Sequence, residues 1–260
     1  MAMHLVGRQV VDAWTDGLRL REPLSRRSVN SLVGERIEEA RRRAKFLLFA
    51  LSSGRTLLVH LGMTGNLVFR SGDRAEPSAH DHVLLSLDQG PPLVYADPRR
   101  FGLFQVLTAA QLKASKWLKN LGIEPLSAEF DADFLVAACR GRTRPIKSLL
   151  LDGRIVVGVG NIYASESLFA ARIRPTTPAG RISLPRMTRL VDEIKRVLQH
   201  SIDRGGTTIS DYLGSGDGGR FQQELAVYGR AGEGCIVCDK PIKNKALSGR
   251  STFYCTSCQH

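Results

Sequence analysis

Four cysteines near the end of the chain, Cys235, Cys238, Cys255 and Cys258, stand as two Cys-x-x-Cys pairs separated by sixteen residues, and this spacing restricts the fold more tightly than anything else in the sequence. Each short pair delivers two thiolates from one tight turn. Two such pairs complete a tetrahedral sphere, which suits one structural Zn2+ ion rather than a catalytic one. The competing use is a pair of disulfides. Against it stand a single further cysteine, Cys139, and a start without a signal-peptide pattern, both of which favour a reducing cytoplasm. Between the pairs lie Lys240, Lys243, Lys245 and Arg250, and Thr252, Phe253 and Tyr254 read as a strand entering the second knuckle. The expected element is a two-stranded zinc ribbon that presents cations.

A charged ribbon alone is most often a solvated surface, so the balance of the whole chain decides. The 260 residues hold 37 Lys plus Arg against 25 Asp plus Glu, a net charge of +12. A polyphosphate backbone gains affinity wherever a cation displaces one of its counterions, so nucleic acid is the leading partner, ahead of an acidic protein or a membrane surface. With 43% hydrophobic residues the chain can bury a core. No apolar run approaches the roughly 20 residues of a membrane span.

From Val10 to about Thr108 the runs FLLFAL, TLLVHLGM, NLVFR, VLLSL and PLVYA are short and apolar or alternating, separated by Gly-, Ser- and Pro-rich turns. That half reads as a β-sandwich or barrel. After Leu121-Gly122-Ile123-Glu124-Pro125-Leu126 the period changes to that of helices: Asp131 to Cys139, Arg144 to Leu151, Asn161 to Arg172 and Leu184 to Asp203, the last capped at Gly205-Gly206. The fold class is therefore α+β. Its expected division is a β domain over 1–120, a linker over 121–128, a helical domain over 129–225 and the ribbon over 226–260.

Within the helical half, two helical stretches flank Gly153 and the turn Val157-Gly158-Val159-Gly160-Asn161. Glycines there admit close backbone approach. The helix that follows presents free N–H groups and a positive dipole end, which suit a phosphate; a packed helical hairpin needing small residues is the alternative.

Four segments together resemble a known family: VGVGNIYASESLF, the Asp97-Pro98-Arg99-Arg100-Phe101-Gly102 run, His60-Leu61-Gly62-Met63-Thr64-Gly65, and the ending GRSTFYCTSCQH. They look like the formamidopyrimidine-DNA glycosylases, base-excision enzymes that remove oxidised purines, and they stand in that family's order and spacing from about His4 to His260. The resemblance implies an N-terminal β-sandwich, a helix-two-turns-helix domain and the zinc-ribbon hairpin. It implies a cytoplasmic monomer acting on damaged double-stranded DNA.

Family members flip the damaged nucleotide out of the duplex and fill the gap with a Met, an Arg and a Phe, which fall on Met63, Arg99 and Phe101. An apolar wedge and a ring offset lost stacking, and a guanidinium can bond the orphaned base. By the same resemblance His80 and Arg142 contact DNA, and Lys147 and Asn161 hold phosphates. Arg250 grips the phosphate beside the lesion and takes part in the second elimination, and Lys45 acts on the sugar. The glycine-rich loop over 210–219 is expected to act as a lid over the extruded base, with a simply disordered loop as the alternative.

One part of the pattern is not in this sequence. The family begins, after Met removal, Pro-Glu-Leu-Pro-Glu; the proline nitrogen attacks C1′, and the adjacent Glu handles protons. An α-amine suits attack because its pKa is roughly 7.7 to 8.0, against about 10.4 for lysine. This chain starts Met1-Ala2-Met3-His4-Leu5 and joins the pattern beyond its first helix. A start misassigned to an internal Met is the expectation adopted. The alternatives are a catalytically inactive DNA- or lesion-binding zinc-ribbon protein, or attack by another amine such as the Ala2 terminus or Lys45.

Overall fold

Ser-, Gly- and Pro-rich turns cut the first half into eight strands: β1 (Val10–Thr15), β2 (Ile37–Arg43), β3 (Phe46–Leu51), β4 (Thr56–His60), β5 (Asn66–Phe69), β6 (Asp81–Leu87), β7 (Leu93–Ala96) and β8 (Leu103–Leu107). This is a computed structural model, and it describes residues 5–70, 76–204 and 224–260. The strands form two antiparallel four-stranded sheets, ordered β1-β6-β7-β5 and β2-β3-β4-β8. Val10, Leu67, Val83, Leu85 and Tyr95 from the first sheet meet Ile37, Phe49, Leu57, Val59 and Phe104 from the second in one apolar core. The architecture is a sandwich.

The five apolar runs read from sequence are β3 to β7. The strand β2, IEEARRR, was not among them, because it lies at a sheet edge with most of its side chains in solvent, where charges are tolerated and discourage pairing with other chains. Two single-turn helices also went unread. Ser25 caps α1 (Arg26–Asn30), and a Thr108/Gln111 capping box starts α2 (Ala109–Lys113).

The chain divides into two compact units between Lys119 and Asn120. The second contains α3 (Ala132–Cys139), α4 (Ile146–Leu150), α5 (Asn161–Ala170), a 3-10 turn (Ala179–Arg181), α6 (Leu184–Asp203) and the hairpin strands β9 (Lys243–Leu247) and β10 (Arg250–Tyr254). The longest helix, α6, turns Met187, Leu190, Val191, Ile194, Val197 and Leu198 inward, a stripe at helical spacing. It packs on Leu135, Leu149, Ala164 and Leu168.

Three boundaries differ from the sequence reading. Residues 121–128, read as a linker, are sewn into the second unit: Gly122 N–H donates to Gly153 O (2.8 Å), Ile123 N–H to Ile155 O (3.0 Å), and Val157 N–H to Ile123 O (2.9 Å). A Cβ on Gly122 would lie 2.3 Å from the Ile155 carbonyl carbon, so only glycine fits. Helix α4 starts at Ile146 rather than Arg144, because Pro145 is extended at ψ 138. Helix α5 stops at Ala170, since Arg172 turns left-handed at φ 57. The cap at Gly205-Gly206 and the loop over 210–219 lie outside the described residues.

Candidate nucleic-acid interface

In the first unit two loops lie against each other. The loop from β4 to β5 carries Met63, and the loop from β7 to β8 carries Arg99 and Phe101. Met63 is 57% exposed and Phe101 44%. The Arg99 guanidinium lies 4.7 Å from the centre of the Phe101 ring, so cation and ring are held as one piece. Beneath them Asp97 is fully buried. Its Oδ1 accepts the Thr64 hydroxyl at 2.6 Å and its Oδ2 accepts Gly102 N–H at 2.8 Å, while Thr64 Oγ1 accepts Arg99 N–H at 3.3 Å. One carboxylate thus fixes both loops. The approach is close enough that a Cβ on Gly62, at φ +66, would stand 2.8 Å from Gly102 N.

Lys45 is exposed on the turn between β2 and β3, where Ala44 takes a left-handed φ of 54 and its carbonyl accepts from Arg42 Nη1 at 2.9 Å. The neighbouring His60 ring, paired through its strand with Phe46, is held down to about 4 by burial first and then by the charges of Arg21 and Lys45. It is a neutral imidazole at physiological pH, and its Nδ1 accepts Gly62 N–H at 2.8 Å at the root of the Met63 loop. His80 is exposed. Its carbonyl accepts Asp97 N–H at 3.0 Å, and the next residue, Asp81, is bound by Arg70 and by the Ser78 N–H and hydroxyl.

In the second unit the four Sγ atoms all lie within 4.8 Å of one another, with Cys235 to Cys258 at 3.9 Å and Cys238 to Cys255 at 3.5 Å. A tetrahedron with metal–sulfur bonds of about 2.3 Å separates its sulfurs by about 3.8 Å, whereas a disulfide needs about 2.05 Å. The cysteines form a cluster shaped for a metal ion. Between the knuckles, Ser248 and Gly249 both have positive φ, 49 and 73, as a two-residue type I′ turn requires. Arg250 follows immediately and is exposed.

That turn and strand are clamped by the helices. Ser148 on α4 bonds Ser248 through their hydroxyls at 2.9 Å. Asn161 Nδ2, at the start of α5, donates to Ser251 O at 3.0 Å and lies 3.4 Å from the Tyr228 hydroxyl. Glu166 on α5 accepts the N–H groups of Ala226, Val227 and Tyr228 at 2.8, 3.0 and 2.8 Å, fixing the approach to the ribbon. Arg142 is exposed, and its carbonyl accepts Gly180 N–H at 2.9 Å.

Lys147 departs from the sequence reading as a phosphate ligand. It is 1% exposed, and its ammonium donates to Ser251 O at 3.0 Å and Thr252 Oγ1 at 2.8 Å. Its charge supports the strand of Arg250 from behind. Burial, and then the Arg250 charge, push its pKa down to about 8. The unfolded chain, with lysine near 10.5, binds the extra proton between pH 8 and 10.5, so stability from this group rises with pH across that window. In Lys147→Met that rise, up to about 3 kcal/mol, is expected to vanish, as urea melts of both proteins at pH 8 and pH 10 will measure.

Tyr228, Glu166, Asp97 and His60 had no role in the sequence reading. A lone charge in an otherwise uncharged helix was the available sign for Glu166. For Asp97 it was the position between a strand and two arginines.

The chain is similar to known proteins across both units. The formamidopyrimidine-DNA glycosylase N-terminal domain matches residues 1–104, and the formamidopyrimidine-DNA glycosylase H2TH domain matches residues 121–212. The chain is 47% identical over 269 residues to the formamidopyrimidine-DNA glycosylase of Cupriavidus pinatubonensis, covering 99% of this chain and 94% of that one. To that of Pectobacterium atrosepticum it is 49% identical over 257 residues, covering 98% and 94%. Among solved structures it is similar to the MutM (Fpg) protein of Thermus thermophilus, with TM-score 0.85, 37% identity and coverage of 99% and 93%. It is also similar to Lactococcus lactis Fpg in complex with an abasic site containing DNA, with TM-score 0.89, 32% identity and coverage of 99% and 94%.

Proposed function

This chain belongs to the formamidopyrimidine-DNA glycosylase family, and on that footing we propose that it is a bifunctional base-excision repair enzyme: a DNA glycosylase for oxidised purines, 8-oxoguanine and formamidopyrimidines, with abasic-site lyase activity. The observation that carries this is the exposed Met63, Arg99 and Phe101 set, locked by Asp97. A rigid apolar and aromatic wedge with a cation at its side can replace an extruded nucleotide, offsetting the few kcal/mol of lost stacking.

The rest of each unit fits that work. In this reading Arg250, at the head of a clamped strand, and the exposed His80 and Arg142 hold backbone phosphates, and Asn161, at the start of α5, joins them with the amide that also bonds Ser251 O. The four cysteines hold one Zn2+ ion, which when bound supplies the rigidity of the ribbon rather than any chemistry at the DNA. An amine attacks C1′ as the bond to the damaged base breaks. The resulting Schiff base acidifies the 2′ proton, and the phosphates leave by β- and then δ-elimination. Lys45 acts on the sugar during strand cleavage, and Arg250 in the second elimination. The protein works as a cytoplasmic monomer, with its β-sandwich and helical domains and ribbon as separate contributors.

The test is borohydride trapping on duplex DNA carrying 8-oxoguanine opposite cytosine. Free base and a covalent protein–DNA adduct are the expected products, and peptide mapping of the adduct identifies the attacking amine. DNA binding without either product would reduce the protein to a lesion binder.

A further inference from the structure

We propose that Gln259 is a positioning residue that locks the metal knuckle to the helical body and so places Arg250. Its side chain is fully buried, and both ends of the amide are used on main chain, one within the knuckle and one on the helical body. Oε1 accepts Cys255 N–H at 2.8 Å, and Nε2 donates to Ile173 O at 2.8 Å. Cys255 and Ile173 are themselves fully buried, so water cannot stand in for either bond. A buried amide that satisfies two otherwise orphaned backbone groups is costly to lose.

The place of these bonds gives them a consequence. Ile173 follows the left-handed Arg172 that ends α5, and the tail is paired to the same segment, with Arg174 N–H donating to His260 O at 3.0 Å and His260 N–H to Arg172 O at 3.3 Å. Cys255 belongs to the four-cysteine cluster and directly follows β10, whose first residue is Arg250. Lys147 and Asn161 hold the strand near Arg250, and Gln259 holds its far end, about 17 Å away in an extended strand. Fixing both ends sets the position of the main chain from which the Arg250 side chain projects. The lock needs only the metal knuckle, whereas its effect on DNA rests on the function proposed above.

Gln259→Met fills the same space and makes neither bond. Two measurements on the zinc-loaded full chain test the lock: the rate of zinc release to a chromogenic chelator, and affinity for abasic-site duplex in Q259M, R250A and the double variant. Q259M is expected to release zinc at least tenfold faster and to bind DNA about tenfold more weakly, and the double variant to bind no more weakly than R250A. Unchanged zinc release, or losses that add in the double variant, would overturn the proposal. Should Q259M not fold, Gln259→Glu, which retains the acceptor for Cys255 and gives up the bond to Ile173, is expected to show faster release by itself. If R250A leaves affinity unchanged, the DNA reading fails and zinc release alone decides the lock.

Discussion

Cys255→Ser is expected to lower affinity for abasic-site duplex at least a hundredfold, about 2.7 kcal/mol, while leaving the β-sandwich unit folded. The ribbon's polar clamps hold it to the helices only once its own strands and knuckles are formed, and it has little apolar core with which to form them. Its buried cluster consists of Phe169, Val227, Cys235, Ile242, Phe253 and Cys255, too few apolar side chains to sustain an independent fold, and a lone two-stranded hairpin is marginal in water. Structural metal binding supplies the missing free energy in such modules, and a serine oxygen replaces a thiolate poorly at a sulfur-rich site. Once β10 frays, Lys147 loses Ser251 O and Thr252 Oγ1, leaving a buried ammonium without its acceptors, so the damage spreads into α4. Fluorescence anisotropy gives the affinity, and amide exchange shows which unit has opened. Near-native binding by C255S would mean that the ribbon folds without metal.

What could be read directly from the residues was whatever is local. The knuckle spacing announces the metal cluster within one segment, the stripe on α6 repeats every three or four residues, and strands β3 to β7 are apolar runs between turns. Strand β2 failed that test because edge position, not composition, makes it a strand. Lys147 shows the same limit from the other side, since a lysine in a basic stretch reads as surface until the chain folds β10 onto it. The side chains that fix the candidate interface bond far along the sequence: Asp97 to Thr64 across 33 residues, Glu166 to Val227 across 61 and Gln259 to Ile173 across 86. No periodicity links such partners. All three lie inside motifs that carried the family resemblance, which marked the segments without showing what these residues hold.

Asp97→Ala is expected to destabilise the first unit by about 3 kcal/mol and to slow 8-oxoguanine release about a hundredfold, whereas Asp97→Asn loses far less. Alanine strands two groups in a site closed to water, the Thr64 hydroxyl and the Gly102 N–H, each costing about 1 to 3 kcal/mol. Asparagine can still accept from Gly102 with its carbonyl oxygen, and its amide can donate to Thr64, whose hydroxyl turns from donor to acceptor. The kinetic loss has a separate origin. In the function proposed above Met63, one residue from Thr64, and Phe101, one residue from Gly102, are the wedge whose spacing the carboxylate sets, and an ångström of slack at an inserted side chain is enough to cost about a hundredfold. Thr64→Val, which removes one of the two bonds at nearly constant volume, should fall between the alanine and asparagine variants in both stability and rate. Urea melts supply the first quantity, and single-turnover base release together with 2-aminopurine fluorescence opposite the lesion supplies the second. If D97A unfolds at the native urea concentration and releases base at the native rate, the pitch of the wedge is set by packing of Gly62 against Gly102 and not by the carboxylate.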